Sequence, residues 1–256
     1  MSTVEINETI ARKVLDVVDA GLVLGLGKPQ PGQMCVEAAV NFAMGLPHGD
    51  EPACVAPALR RLKIRLNDSN WSSKQARAKG LRRLALAQLG SSGVLDEQDF
   101  VRRVSRLAIQ SCVPQALRAA ARLFKGEKKS ALLNAADLCE RDPTVENARA
   151  ARSAADAAAA AAAAYAAADA AADAAAAAAY AAADAAAYAY AADAAAAAAY
   201  AYAYAAAAAA DAAAYAADAA YAARDQSLAA FAEGVVQILI EMKAPGCQWL
   251  FLTEAA

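Results

Sequence analysis

The chain has a single histidine, His48. Any Cys–His or Ser–His dyad would have to be built on that one imidazole, and a His-rich catalytic metal centre is excluded. Its five cysteines, at 35, 54, 112, 139 and 247, are an odd set with no CxxC spacing. That excludes a closed disulfide framework and fits reduced thiols in a cytoplasmic protein. The opening MSTVEINETIARK has no basic segment followed by an apolar run, so no secretory leader is expected. No stretch alternates at period two for long enough to predict a strand, QWLFLT near the end being the best exception. Gly and Pro are missing from residues 154–223, and so is every other residue type except Ala, Tyr and Asp.

The composition of that tract is extreme. Residues 154–223 comprise 54 Ala, 9 Tyr and 7 Asp, and all tyrosines of the chain lie inside them. Alanine is the strongest helix former, so the tract is predicted helical. One straight helix of this length would be roughly 105 Å long. The tyrosines scatter around its whole circumference and leave no sustained apolar stripe for docking or coiling. The segment AADAAAAAAYA recurs identically at 171–181 and 191–201. Asp156, Asp173, Asp193 and Asp211 each precede an alanine run and a tyrosine, and aspartate is a favoured N-cap. The pattern predicts a stack of short antiparallel helices, packed closely through alanine with tyrosines in the gaps. A membrane span is not expected: an Asp recurs every 4 to 18 residues, and each would cost about 2.5–3.5 kcal/mol at mid-bilayer.

The expected fold class is all-α, with a helical domain over 1–141 and the Ala/Tyr/Asp-rich repeat region, a capping helix and a tail over 142–256. Apolar spacing predicts helices over 6–20, 33–44 and 56–67. Ser72 followed by Gln75 reads as a capping box opening a helix that runs to about Leu89. Asp96 opens another to about Cys112, with Pro114 kinking or ending it. Gly126 closes the next piece, residues 130–140 are helical, and Asp142-Pro143 caps the helix that leads into the tract. The last helix, about 226–243, buries Leu228, Phe231, Val235, Ile238 and Leu239, and the tail packs back through Trp249 and Phe251.

Charge is distributed unevenly. Residues 1–59 carry −4, residues 60–129 carry +12 and residues 130–256 carry −10. Within the basic block, Arg60, Arg61, Lys63, Arg65, Lys74, Arg77, Lys79, Arg82 and Arg83 face a single acid, Asp68. Such a cluster is a candidate site for phosphates, on a nucleotide or on nucleic acid. With only Trp71 nearby for stacking, single-strand recognition is poorly supported. The alternatives are a solvated helical face or one docked against the acidic tract.

Three motifs bear on chemistry. GLVLGLGK at 21–28 lacks the first glycine of a phosphate loop, and Pro29 stands where the loop needs Ser or Thr. QMCVEAAVNFAMGLP resembles the cysteine-bearing helix of papain-like peptidases, with Cys35 where a helix dipole would lower its pKa. His48 would lie about 20 Å away were the intervening segment helical, too far for a dyad. Cys35-Val36-Glu37 with Pro52-Ala53-Cys54 echoes the zinc deaminase pattern, but Pro57 replaces its last cysteine. Cys35, His48 and Cys54 fit no standard metal spacing, and no cofactor is expected.

The stretch from GQMCVEAAV through GLPHGDEPACV to WSSKQARAKGLRRLALAQLGS resembles a group of phage and bacterial proteins of unassigned function, over roughly residues 30–110. The tract is similar, over 145–225, to alanine-rich helical domains of immunity proteins of toxin systems. The resemblance implies a stacked-helix scaffold that binds a partner and implies no catalytic residues. The expected function is therefore a non-enzymatic binding protein, of the immunity or phage counter-defence type, that holds a protein partner or sequesters an anionic ligand. Self-association into a homo-oligomer is also allowed. An enzyme using Cys35 and an antifreeze-like surface binder are the alternatives, the latter lacking the threonine array common in such helices.

Overall fold

A computed structural model describes residues 6–160 and 217–254. Eight α-helices are found among them: α1 Glu8–Asp19, α2 Val36–Ala43, α3 Pro57–Asn67, α4 Lys74–Ala87, α5 Glu97–Ala121, α6 Gly126–Arg141, α7 Val145–Ala160 and α8 Ala217–Glu241. A 3-10 helix, Pro245–Thr253, comes last. The fold is all-α. Among the described residues the only β-type pairing is an isolated bridge between Gly27 and Met34, and no helix is long and apolar enough to cross a membrane.

The helices form where apolar spacing and capping agree. Asn7 caps α1, its side chain accepting from the Ile10 N–H at 3.0 Å; Val14, Val17 and Val18 are buried, and Ile6 and Ile10 on the same face are partly buried. Leu59, Leu62 and Leu66 are buried along α3, with Val55 buried just ahead of it, and Leu228, Phe231, Val235, Ile238 and Leu239 along α8. Burying each such side chain stabilises by about 1.5–3 kcal/mol. Two helices act as hubs. α4 packs against α1, α2, α3, α8 and the 3-10 helix, while α5 packs against α3, α6, α7 and α8. Gly80 lets α4 approach the Trp71 indole: a Cβ there would stand 2.2 Å from the ring. Gly246 likewise lets the 3-10 helix sit on the end of α4, where a Cβ would stand 2.2 Å from the Leu86 carbonyl oxygen.

Several expectations are corrected. The cap of α4 is Ser73, which accepts from Ala76 N–H, and not Ser72. Ser72 instead donates through its N–H and hydroxyl to the Asp225 carboxylate of α8. α2 is shorter than 33–44 and is capped by the Cys35 sulfur. α5 runs past Pro114 as one helix of 25 residues, because one lost backbone bond is outweighed by burial of Val113, Ala116 and Leu117 around it. Gly126, φ +63°, opens α6 and does not close a helix. The cap of α7 is Thr144, which accepts from Asn147 N–H, while Asp142 accepts from the Asn147 side chain. QWLFLT is 3-10 helix, docked through Leu250 and Leu252 with Phe251 51% exposed; Trp249 packs only partly.

The predicted stack of short helices falls mostly outside the described residues, as do both copies of AADAAAAAAYA. The two ends of the tract within them, 154–160 and 217–223, are the last turns of α7 and the first turns of α8.

Candidate functional site

The nine basic residues of 60–83 do not form one open surface. Arg77 is buried and donates to the carbonyls of Asn67 at 2.7 Å, Leu22 at 3.0 Å and Ser69 at 3.5 Å, tying α4 to two loops. Arg82 is bidentate to Asp19 of α1 and donates to the Thr253 carbonyl. Arg83 pairs with Glu233 of α8 at 3.0 Å and with the Thr253 hydroxyl. Arg60 pairs with Glu51 at 3.2 Å. Lys74 donates to the Gly32 carbonyl at 3.4 Å, and Arg65 is also engaged. Arg61 is half-buried and Lys79 exposed.

Lys63 lies in the core, not on the basic face that its sequence neighbours suggest. Its Nζ is 3.4 Å from Glu37 Oε1 of α2, and both side chains are 0% exposed. Neither oxygen of Glu37 accepts a hydrogen bond, and Lys63 Nζ donates none. Burial pushes Glu37 up to about 7 despite the opposing pull of Lys63 and Arg60. Burial likewise pulls Lys63 down against the pull of Glu37. The Cys35 thiol accepts from Ala38 N–H at 3.4 Å. Its expected lowering at a helix start is corrected: burial outweighs the backbone hydrogen bonds and pushes it up to about 11. It is a neutral thiol at neutral pH.

His48 comes back to the same neighbourhood. Its Nε2 is 3.2 Å from the Gly27 carbonyl oxygen, while Cys35 N–H donates to the adjacent Leu26 carbonyl. The intervening segment is not one helix, since α2 ends at Ala43 and Gly45 turns the chain at φ +70°. Thiol and imidazole still share no hydrogen bond, Cys35 Sγ being paired with Ala38. No cluster of three or more His, Cys, Asp or Glu side chains able to hold a metal occurs among the described residues.

The concave basic surface is elsewhere. A groove of 590 Å³ runs between α5 and α8, and Arg102, Arg103 and Arg106 line it together with Asp99 and Glu241. Arg103 bridges Asp99 and Glu241 at 2.8 Å each. Arg102 leans on Asp99 but stays 79% exposed. Arg106 is exposed and has no acidic partner among the described residues. Further along, Arg122, Lys125, Lys128 and Lys129 are exposed at the corner between α5 and α6. These cations belong to the predicted basic block but not to the residues singled out in 60–83. The signal that marks them is the like-charged pair Arg102 and Arg106, four apart on one helix, an arrangement that destabilises an isolated helix. Chemically, the groove offers exposed guanidinium donors in a fixed fork geometry, which suits carboxylate and phosphate oxygens.

No protein-family model, no curated protein and no solved structure matches this chain.

Proposed function

We propose that this chain is a non-enzymatic helical binding protein that takes an anionic ligand in the groove between α5 and α8. The observation that carries the reading is Arg106, exposed and without an acidic partner among the described residues, four residues from the 79%-exposed Arg102 on the same groove wall. Asp99 and Glu241 hold Arg103 in place, Asp99 also touches the largely exposed Arg102, and Arg106 is left to the ligand. An exposed cation without a partner keeps its hydration and its field, so it draws anions at a rate that falls with salt. The exposed lysines at the α5–α6 corner extend that field. A role as an immunity or phage counter-defence factor, sequestering an anion or holding an acidic protein partner, is consistent with such a groove.

Calorimetric titration with pyrophosphate and, separately, with an aspartate-rich peptide tests this and tells the two ligand sources apart. The reading expects binding of at least one of them that weakens with salt and is lost in the Arg102→Glu/Arg106→Glu variant. Binding of neither, or binding that the variant retains, rejects it.

A further inference from the structure

A second, smaller space lies at the start of α2. It is a cavity of 80 Å³ lined in part by Gly25, Cys35, Glu37, Asp50, Asn67 and Asp68. This is well above the ~10–15 Å³ that admits one water.

Its polar wall consists almost entirely of acceptors. Glu37 is fully buried and neither of its oxygens accepts a hydrogen bond. Lys63 Nζ approaches Oε1 at 3.4 Å but makes no hydrogen bond to it. Asp68 Oδ1 already accepts from Gly25 N–H at 2.8 Å and from the Asn67 amide at 2.9 Å, which leaves its second oxygen. The Asn67 amide is spent on Asp68 and the Val23 carbonyl, and its oxygen on Val36 N–H. The Cys35 sulfur is occupied by Ala38. Asp50 is half-buried on the remaining side.

Three acidic residues, buried Glu37, half-buried Asp50 and exposed Asp68, therefore line one cavity that no cationic side chain lines. The positive groups acting on Glu37 are Lys63 and Arg60, and Arg60 is turned to Glu51. A buried carboxylate whose oxygens accept no hydrogen bond is costly even beside Lys63, and a cationic ligand bringing N–H donors lowers that cost. A metal ion suits the cavity less well, because no metal-holding cluster occurs among the described residues.

We propose that this cavity binds a small protonated amine, the ammonium ion or a short primary alkylamine, through the carboxylates of Glu37, Asp50 and Asp68. The cavity admits an –NH3⁺ head and one or two carbons, and a quaternary ammonium has no N–H to give. The proposal is independent of the groove between α5 and α8.

Thermal melting of the full chain at neutral pH, in chloride salts of equal ionic strength, tests it. Ammonium and methylammonium are expected to raise Tm by about 2–4 °C over potassium and tetramethylammonium. Asp50→Asn, which leaves the Glu37–Lys63 pair intact, is expected to abolish most of that rise, and Glu37→Gln to abolish it where the variant folds. Arg102→Glu/Arg106→Glu is expected to keep it. Equal melting in all four salts, or an ammonium-specific rise that survives Asp50→Asn, overturns the proposal.

Discussion

Lys63 of α3 and Glu37 of α2 meet inside the core at 3.4 Å, each with no exposed surface and neither with a hydrogen bond. Their attraction offsets a desolvation cost of several kcal/mol per ion. Such a pair ties α2 to α3 without adding much net stability. Breaking it from one side is far more damaging than removing it whole.

The Lys63→Met variant is expected to lose about 3–5 kcal/mol at alkaline pH, where Glu37 is left as a bare buried carboxylate. The loss shrinks as pH falls, because Glu37 then takes up a proton, and it does so at a higher pH than in the parent because the Lys63 charge that lowers it is gone. In the parent chain the sign is set by burial. Glu37 is raised, so its contribution is fully present below the ordinary glutamate range and is lost as pH rises through about 7. Lys63 is lowered, so its contribution is present above the ordinary lysine range and lost as pH falls through its folded-state value. Urea denaturation of the parent, the single variant and Glu37→Leu/Lys63→Met at pH 5.5 and 8.5 checks this. The double variant is expected to match or exceed the parent at pH 8.5; a double variant as weak as the single one contradicts the picture.

Gly80 separates two opposed effects. In an open helix interior, replacing Gly by Ala stabilises by about 1 kcal/mol. Here the added methyl would lie 2.2 Å from the Trp71 ring, and overpacking costs about 1–3 kcal/mol. Packing is expected to win. Gly80→Ala should lower Tm and shift Trp71 fluorescence, as the indole leaves its hydrogen bond to the Leu66 carbonyl at 2.8 Å. A raised Tm would mean that the indole moves aside freely.

The cysteines give a third expectation. Cys35, Cys112, Cys139 and Cys247 are all pushed up to about 11 by burial, and Cys54 is raised for the same reason. Thiolate is the reactive form, so a thiol reagent should label the native chain slowly at neutral pH and all five cysteines rapidly in denaturant. Cys35→Ser should leave anion binding unchanged. Fast native labelling at Cys35, identified by mass spectrometry, would revive the cysteine-enzyme reading.

Much of the scaffold was legible because its signals are local. The stripes of Leu59, Leu62 and Leu66 and of Leu228, Phe231, Val235 and Leu239 repeat at helical spacing, and their burial agrees with it. Punctuation was less legible. Pro114 reads as a stop, but neighbours on both sides bury enough surface to carry α5 through it. Gly126 reads as an end and is a beginning. The charged residues were least legible of all, because their partners are remote. Arg82 finds Asp19 at a separation of 63 residues and Arg83 finds Glu233 at 150. Nothing in RRLKIR distinguishes Lys63 from its neighbours until α2 places Glu37 opposite it. Arg106, the groove cation without an acidic partner among the described residues, stands out only after the ion pairs are subtracted, with the 79%-exposed Arg102 beside it.

The central claim is that the groove between α5 and α8 binds an anion through Arg102 and Arg106. The most direct measurement is the affinity for pyrophosphate and for the aspartate-rich peptide, determined by calorimetry across a salt series for the parent and for Arg102→Glu/Arg106→Glu. At least one ligand is expected to bind, with a log affinity that falls with log salt. A drop of about tenfold or more is expected in the variant, equal to about 1.4 kcal/mol, with an unchanged melting temperature. A variant that binds as tightly as the parent, or a parent that binds neither ligand at low salt, would contradict it.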